Sequence, residues 1–386
     1  MSRVAIVGIG HSRFGRRNDV TVGELAFESI KQAVDDAGVD RKDISNVVVG
    51  SMGSWYEEAL PAVVVDEYAG LSGAGTMRVE AACASGSAAL KAAYNSILSG
   101  EGDVAMAVGV EKMTEVDSST SVELIGRAGS YTWEFENYGM TFPAYYALYA
   151  VAHMNAFGTT EEDLARVAVK AHHYGAMNPL AQFQKEITIE KALGSQVVAW
   201  PLKLFDACPL TDGSAAVVLA SEDAAKRLTD TPVWIRGVGY SSDTANMSRR
   251  SDYVGLAAAV RAAKNAYAMA KVTPQDVDVA TAPDCFTIAE LMAYEDLGFC
   301  KKGEGAKLIR EGQTELGGRI PVNLDGGLKA KGHPVGATGV SMAVEITKQL
   351  RGEAGRHQAP VRNGIGLVHN IGGTGHYAYV TILSRD

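Results

Sequence analysis

The chain has 386 residues, 47% of them hydrophobic and 21% charged, with a net charge of −9 and 42 glycines. That composition supplies a large core and argues for two or three domains or layers. The acidic balance argues against nucleic acid as the main partner, and without a run of about 18 apolar residues no membrane span is expected.

The opening "MSRVAIVGIGHSRFG" is apolar but breaks at Gly, His and Arg, with no small-residue cleavage pattern behind it. It reads as a first strand and not as a signal peptide. "TVGELAFESIKQAVDDAG" follows with apolar residues at helical spacing, a Thr at its start and a Gly at its end. "ISNVVVGSM" reads as a strand, "CASGSAALKAAYNSILSGEG" as a helix closed by Gly, and "DVAMAVGVE" as a buried strand. This alternation predicts parallel or mixed sheets with helices on both faces, an α/β architecture.

From about residue 117 to 199 the pattern changes to long polar helical stretches richer in Tyr, His and Met. "AWPLKLFDACPLTDGSAAVVLASE" then gives a turn and an apolar strand that can complete the first sheet. The C-terminal part repeats the opening order. "PVWIRGVGYSSDT" parallels "RVAIVGIGHSRF". "GLAAAVRAAKNAYAMAKVTPQDVDVATAP" parallels "ELAFESIKQAVDDAGVDRKDISNVVVGS". "GHPVGATGVSMAVEITKQLRGEAG" takes the place of "CASGSAALKAAYNSILSGEG", and "GIGLVHNIGG" that of "DVAMAVGVEK". Four elements in one order, twice, predict a duplicated unit. The expected domains are 1–116 plus 200–229, an insertion at 117–199, and 230–386.

Four cysteines, Cys83, Cys208, Cys285 and Cys300, form no CxxC pair. Neither a metal site nor a disulfide framework is expected, and a reducing cytoplasm is the default compartment. Cys83, in "EAACASGSAAL", lies where a strand hands over to a helix among small residues. A helix N-terminus favours thiolate, so a nucleophile and a buried structural cysteine are both open readings there. His333, in "LKAKGHPVGATG", sits in a glycine-rich turn ahead of a helix, where it can serve a thiol or a carbonyl oxygen. The duplication maps this turn onto the Cys83 turn, so the two loops should meet. Cys285, in "APDCFTIAE", reads on its own as a core cysteine. Gly372 and Gly373, in "HNIGGTG", can offer N–H groups to an oxyanion. Cys208 and Cys300 read as structural. "GVGYSS" and "GIGHSR" open no G-x-G-x-x-G helix and are weak as phosphate loops. The stretches "ARVAVKAHHYGAMN" and "NMSRR" read as solvated surface.

"VEAACASG", "DCFTIAELMAYEDLGFCKKGEG", "GGLKAKGHPVGATG" and "HNIGGTG", in that order, resemble the motifs of thiolases. The resemblance covers essentially the whole chain and is greatest to archaeal acetoacetyl-CoA thiolases, which are akin to the sterol-carrier-protein type. It implies a five-layered αβαβα core of two similar halves with a loop domain inserted in the first. It implies that Cys83 takes an acetyl group from acetyl-CoA and that His333 activates it. Cys285 would remove the α-proton of a second acetyl-CoA and then protonate the leaving enzyme thiolate, giving acetoacetyl-CoA and CoA. The N–H groups of Cys83 and Gly372 would form the oxyanion hole.

No permanently bound cofactor is implied, only acetyl-CoA and CoA as substrate and product. A homodimer or tetramer is implied, as is a complex with 3-hydroxy-3-methylglutaryl-CoA synthase and a small OB-fold, zinc-ribbon protein in the mevalonate pathway. The chain departs from the pattern at Pro283, where the family usually has a His that holds the second acetyl oxygen. Proline has no donor, which leaves His369 and Asn370 as candidates. The rival readings are a degradative 3-ketoacyl-CoA thiolase, a thiolase-fold aldolase that would lack the cysteine set, and a non-catalytic scaffold.

Overall fold

The computed structural model describes residues 3–386. The first strand, β1 (Val4–His11), leads to α1 (Val22–Ala37), capped by a reciprocal Thr21–Glu24 box and ended by left-handed Gly38, as the Thr and Gly signals predict. Then come β2 (Asn46–Gly50), α2 (Pro61–Ala69), β3 (Gly75–Val79), α3 (Ser85–Leu98) and β4 (Val104–Lys112). The middle of the chain holds α4 (Ser118–Gly126), α5 (Phe142–Phe157), α6 (Glu161–Gly175), α7 (Ile189–Leu193) and a small hairpin, β5 (Val197–Ala199) with β6 (Leu202–Lys203). The chain returns to the sheet as β7 (Asp212–Ser221), followed by α8 (Glu222–Leu228). The second half runs β8 (Val233–Ser242), α9 (Ala257–Ala270), β9 (Val279–Thr281), α10 (Thr287–Asp296), α11 (Gly305–Arg310), α12 (Thr338–Arg351), β10 (Ile365–Gly372) and β11 (Tyr377–Ser384).

The sheet order is β3-β2-β4-β7-β1-β8-β11-β10-β9, with a further parallel bridge from Ala280 in β9 to Val322. With Val322 as the third strand position of its half, both halves have the order third, second, fourth, fifth, first. The directions match as well: the second strand is parallel to the third and fourth, and the last two pairings are antiparallel. The duplication read from the sequence is thus present in the topology. Within the sheet, among the described residues, the halves are paired through Ala5↔Trp234 and Ile6↔Val233 alone.

Side-chain alternation sets the layers. In β4, Val104, Met106, Val108 and Val110 face the outer core with α1 and α2, whereas Ala105 and Ala107 face inward. The inward face is lined by small residues because α3 and α12 lie against it and against each other. A Cβ at Gly109 would come within 2.5 Å of the Gly336 carbonyl oxygen, and one at Gly86 within 2.8 Å of it. On the far side α9 covers β8 and β11, completing the five layers. The N-terminal ends of α3 and α12 meet at the centre, and the segments before them carry Cys83 and His333.

Candidate active site

Cys83 sits at the tip of a turn that its neighbours hold in place. Ala82 has φ 51°, a left-handed conformation that costs an L-residue about 1–2 kcal/mol. Ser85 offsets that cost: its Oγ donates to the Ala82 carbonyl at 2.6 Å and accepts from the Ala81 N–H at 2.9 Å. Cys83 is half-buried against Trp55, Met113, Leu124 and Val335. The backbone N–H groups of Gly373 and of Cys83 itself point at the sulfur.

The thiol is pushed up to about 12, first by burial and then by the nearby carboxylates of Glu111 and Glu80. The helix terminus was expected to favour thiolate. The amide contacts do act in that direction, but desolvation of a charged sulfur outweighs them. The resting cysteine is therefore a thiol that needs a base.

His333 is held in one tautomer by its hydrogen bonds. Its Nδ1 is 2.7 Å from Thr338 Oγ1, and that hydroxyl donates its proton to the Pro334 carbonyl at 2.9 Å. A hydroxyl has one proton to give, so the Nδ1–H must be the donor to Thr338. Nε2 is left as an unprotonated lone pair, buried and without a hydrogen-bond partner. Burial lowers the imidazolium pKa to about 3, which keeps the ring neutral. The His333 backbone N–H is held by Thr211 Oγ1 at 3.1 Å. Val335, two residues on, packs in the same apolar cluster as Cys83, so the two loops meet as the duplication predicts.

Cys285 is 7% exposed and its thiol lies beside the hydroxyl of Tyr146. Burial raises it well above the ordinary range, and the charges of Cys208 and Cys83 push the same way, while the Tyr146 hydroxyl stabilises its thiolate. Tyr146 stacks on Phe286 with ring centroids 4.5 Å apart and lies 3.4 Å from the Gly373 carbonyl oxygen. It thus links the Cys285 loop to the glycine pair. Asp284 ties the same loop to the His333 segment by accepting the Leu328 and Lys329 N–H groups at 2.6 and 3.2 Å.

Cys208, read from the sequence as structural, lies against Cys285: its N–H donates to the Cys285 carbonyl at 2.8 Å. Cys300 lies away from this group, beside Glu295 and Glu304.

Strand alternation separates the two residues considered as replacements for the missing histidine. Asn370 faces the central helices, where its Nδ2 donates to the Cys83 carbonyl at 3.1 Å and its Oδ1 is unpartnered. His369 faces the other side of β10, fully buried, with both ring nitrogens unpartnered and a pKa lowered to about 3 by burial. Gly372 shares the face of Asn370, and a Cβ there would run into the Ala81 carbonyl. The amide placed at the Cys83 sulfur is that of Gly373. Pro283 is buried.

Of the two stretches read as solvated surface, the one in α6 is largely buried, whereas "NMSRR" keeps Ser248 and Arg249 exposed. In α6, Lys170 and His172 are buried. Arg250, in "NMSRR", donates to the Thr374 carbonyl at 2.7 Å and to Thr374 Oγ1 at 2.8 Å. Among the described residues no cluster of three or more His, Cys, Asp or Glu is placed to hold a metal, and no helix is long and apolar enough to cross a membrane.

Two of the residues at this site escape a reading by motif. Tyr146 carries no local signal, since its helix is apolar nearly all round. Thr338 could have been found, because it lies five residues after His333 within the glycine-rich turn.

Residues 4–223 match the family described as "Thiolase, N-terminal domain", and residues 239–385 match "Thiolase C-terminal domain-like". The chain is 44% identical to an acetyl-CoA acetyltransferase of Methanothermobacter thermautotrophicus, covering 100% of both chains. It is 40% identical to one of Methanocaldococcus jannaschii, covering 100% of this chain and 99% of that one. It is 32% identical to human sterol carrier protein 2 over 96% of this chain and 70% of that protein. A solved structure described as "Ltp2-ChsH2(DUF35) aldolase" superposes with a TM-score of 0.86 at 27% identity, covering 100% of this chain and 98% of that one. Human mitochondrial 3-ketoacyl-CoA thiolase with CoA shares the fold, with a TM-score of 0.76 at 18% identity over 100% of this chain and 98% of that one. A duplicated five-layered core, two cysteine loops and a histidine turn at its centre, and matches along nearly the whole chain have one common explanation: this protein belongs to the thiolase family.

Proposed function

We propose that the protein is an acetyl-CoA C-acetyltransferase, joining two acetyl-CoA into acetoacetyl-CoA and CoA, reversibly, through an acetyl-Cys83 intermediate. The observation that carries this is the fixed tautomer of His333, which leaves a neutral, unpartnered Nε2 in the loop packed against that of Cys83. Nε2 takes the Cys83 proton as the sulfur attacks the thioester carbonyl, and the N–H groups of Cys83 and of the Gly372–Gly373 pair, where the Gly373 amide already lies at the sulfur, receive the oxyanion. The bond to CoA breaks, and the departing thiolate is protonated by Cys285. A thiol held so far above neutral arrives protonated, so it acts first as an acid.

Cys285 is then a thiolate beside the hydroxyl of Tyr146, ready to take the α-proton of a second acetyl-CoA. The enolate carbon attacks the acetyl group, Cys83 leaves as thiolate, and the His333 imidazolium returns its proton. One cysteine cannot be acylated and carry a proton at once, which is why two are needed. Asn370, through the Cys83 carbonyl, is the candidate that supports the loop where Pro283 offers nothing. His369, on the opposite face, is the weaker of the two.

The names of the archaeal relatives support the acetyl-CoA reading. An aldolase reading is favoured by the neighbour of that name, but the presence of Cys83, Cys285 and His333 together supports acyl transfer. Edge strand β3, with Met77 47% exposed, supports pairing with a second copy. A partner with a DUF35 domain is suggested by the same neighbour, and delivery of acetoacetyl-CoA to a 3-hydroxy-3-methylglutaryl-CoA synthase fits the condensing direction. CoA-dependent cleavage of acetoacetyl-CoA, measured against longer 3-ketoacyl-CoA, tests the assignment. Preference for acetoacetyl-CoA is expected, and equal or greater rates on long chains would favour a degradative thiolase.

A further inference from the structure

Cys208 comes from the end of the middle segment and Cys285 from the loop after β9, 77 residues apart in sequence, yet the fold lays them side by side. Ala207 and Phe286 form an antiparallel bridge, and the Cys208 N–H donates to the Cys285 carbonyl at 2.8 Å. Continuing that register sets Cys208 opposite Cys285, the two joined by this one backbone hydrogen bond. Such pairs have Cα atoms about 5.5 Å apart, inside the span of about 4.4–6.8 Å that a disulfide bridges. The Cys285 thiol lies close enough to Cys208 to feel its charge.

We propose that Cys208 and Cys285 are a redox pair, oxidised by peroxides to a disulfide that withdraws the proton-carrying thiol and switches the enzyme off reversibly. Cys208 is the entry point. It is half-buried where Cys285 is nearly sealed. The buried ammonium of Lys329 lies near it and favours its thiolate, against the burial that raises it to about 12. Lys329 itself sits 3.5 Å from His172 Nε2 and over the rings of Phe183 and Phe205, at 5.4 and 5.6 Å.

In the first step the Cys208 sulfur attacks one peroxide oxygen. The O–O bond breaks, the other oxygen leaves as water, and Cys208 becomes a sulfenic acid. The Cys285 sulfur then displaces that hydroxyl as a second water, with formation of the S–S bond. Two thiols have lost two electrons and two protons, and one hydrogen peroxide has become two waters. A dithiol reverses the change by exchange.

The activity arm of the test rests on the role given to Cys285 above, but the chemical arm does not. The full-length protein is treated with hydrogen peroxide, capped with N-ethylmaleimide and digested without reductant. A peptide pair linking Cys208 to Cys285 and released by dithiothreitol is expected, with thiolysis falling to background and returning on reduction. Cys208→Ser and Cys208→Ala should lack the linked pair, and neither should regain with dithiothreitol whatever activity peroxide removes. The proposal fails if no such pair forms, if Cys83 is the main partner of Cys285, or if the variants lose and recover activity as the native protein does. If the protein shows no thiolysis at all, the peptide map of the native chain decides the matter alone.

Discussion

His333 Nδ1 lies 2.7 Å from Thr338 Oγ1, and the hydroxyl proton of Thr338 is already given to the Pro334 carbonyl. The pair forms one link in a fixed relay that decides which ring nitrogen can act as base. Thr338→Val removes the acceptor for Nδ1–H and lets the ring choose the other tautomer. Acetyl transfer to Cys83 should slow by about tenfold, or about 1.4 kcal/mol, and Thr338→Ser should restore it. Single-turnover acetylation, with unfolding midpoints as control, checks this. Equal loss in the Val and Ser variants would speak against it.

Pro283 stands where a donor to the second acetyl oxygen is usual in the thiolases this chain resembles. Pro283→His should raise the rate of condensation and leave the rate of Cys83 acetylation nearly unchanged. Measuring the two half-reactions separately checks this, and a condensation rate unchanged by the histidine counts against it.

Glu111 is fully buried beneath the Cys83 chamber, accepting the Met52 and Gly53 N–H groups at 2.8 and 3.0 Å. Burial raises it from 4.5 to about 7. The folded state therefore holds this proton more tightly than the unfolded one, and stability is lost as pH rises through that window. Glu111→Gln should flatten the fall in urea stability between about pH 4.5 and 7, with a difference on the order of 3 kcal/mol at most. The same change should lower the midpoint for alkylation of Cys83, whose thiol the Glu111 charge raises. Parallel stability curves in both proteins would contradict this.

Gly339 lies where α12 meets α3, and a Cβ there would run into the Ser87 backbone and come within 2.5 Å of Asn370 Oδ1. Gly339→Ala should cost about 2 kcal/mol by overpacking. It should also disturb the Asn370 amide that holds the Cys83 carbonyl. Chemical denaturation reads the first effect and the rate of acetylation the second. A neutral substitution would show that the helices can separate freely.

Much of this arrangement was legible in the residues. The duplication follows from repeated element order, because each half must bury two sheet faces and needs the same alternation of strands and helices. Cys83 and His333 could be paired because they hold equivalent places in the two halves. Cys208 could not be placed, since its neighbour depends on how the middle segment returns to the sheet, and a lone cysteine before a proline carries no record of that. Tyr146 was hidden for a similar reason, lying on an apolar helix whose docking decides its role. The direction of the Cys83 shift was misjudged, because a sequence reveals the helix terminus and not the depth at which it is buried.

In the proposed mechanism Cys83, activated by the free Nε2 of His333, carries an acetyl group. Incubation of the protein with radiolabelled acetyl-CoA, followed by acid quench and peptide mapping, tests this most directly. One acetyl group on Cys83 is expected, absent in Cys83→Ser and formed at least about a hundredfold more slowly in His333→Ala. A native protein that takes up no label, or that carries it on another residue, would contradict the account.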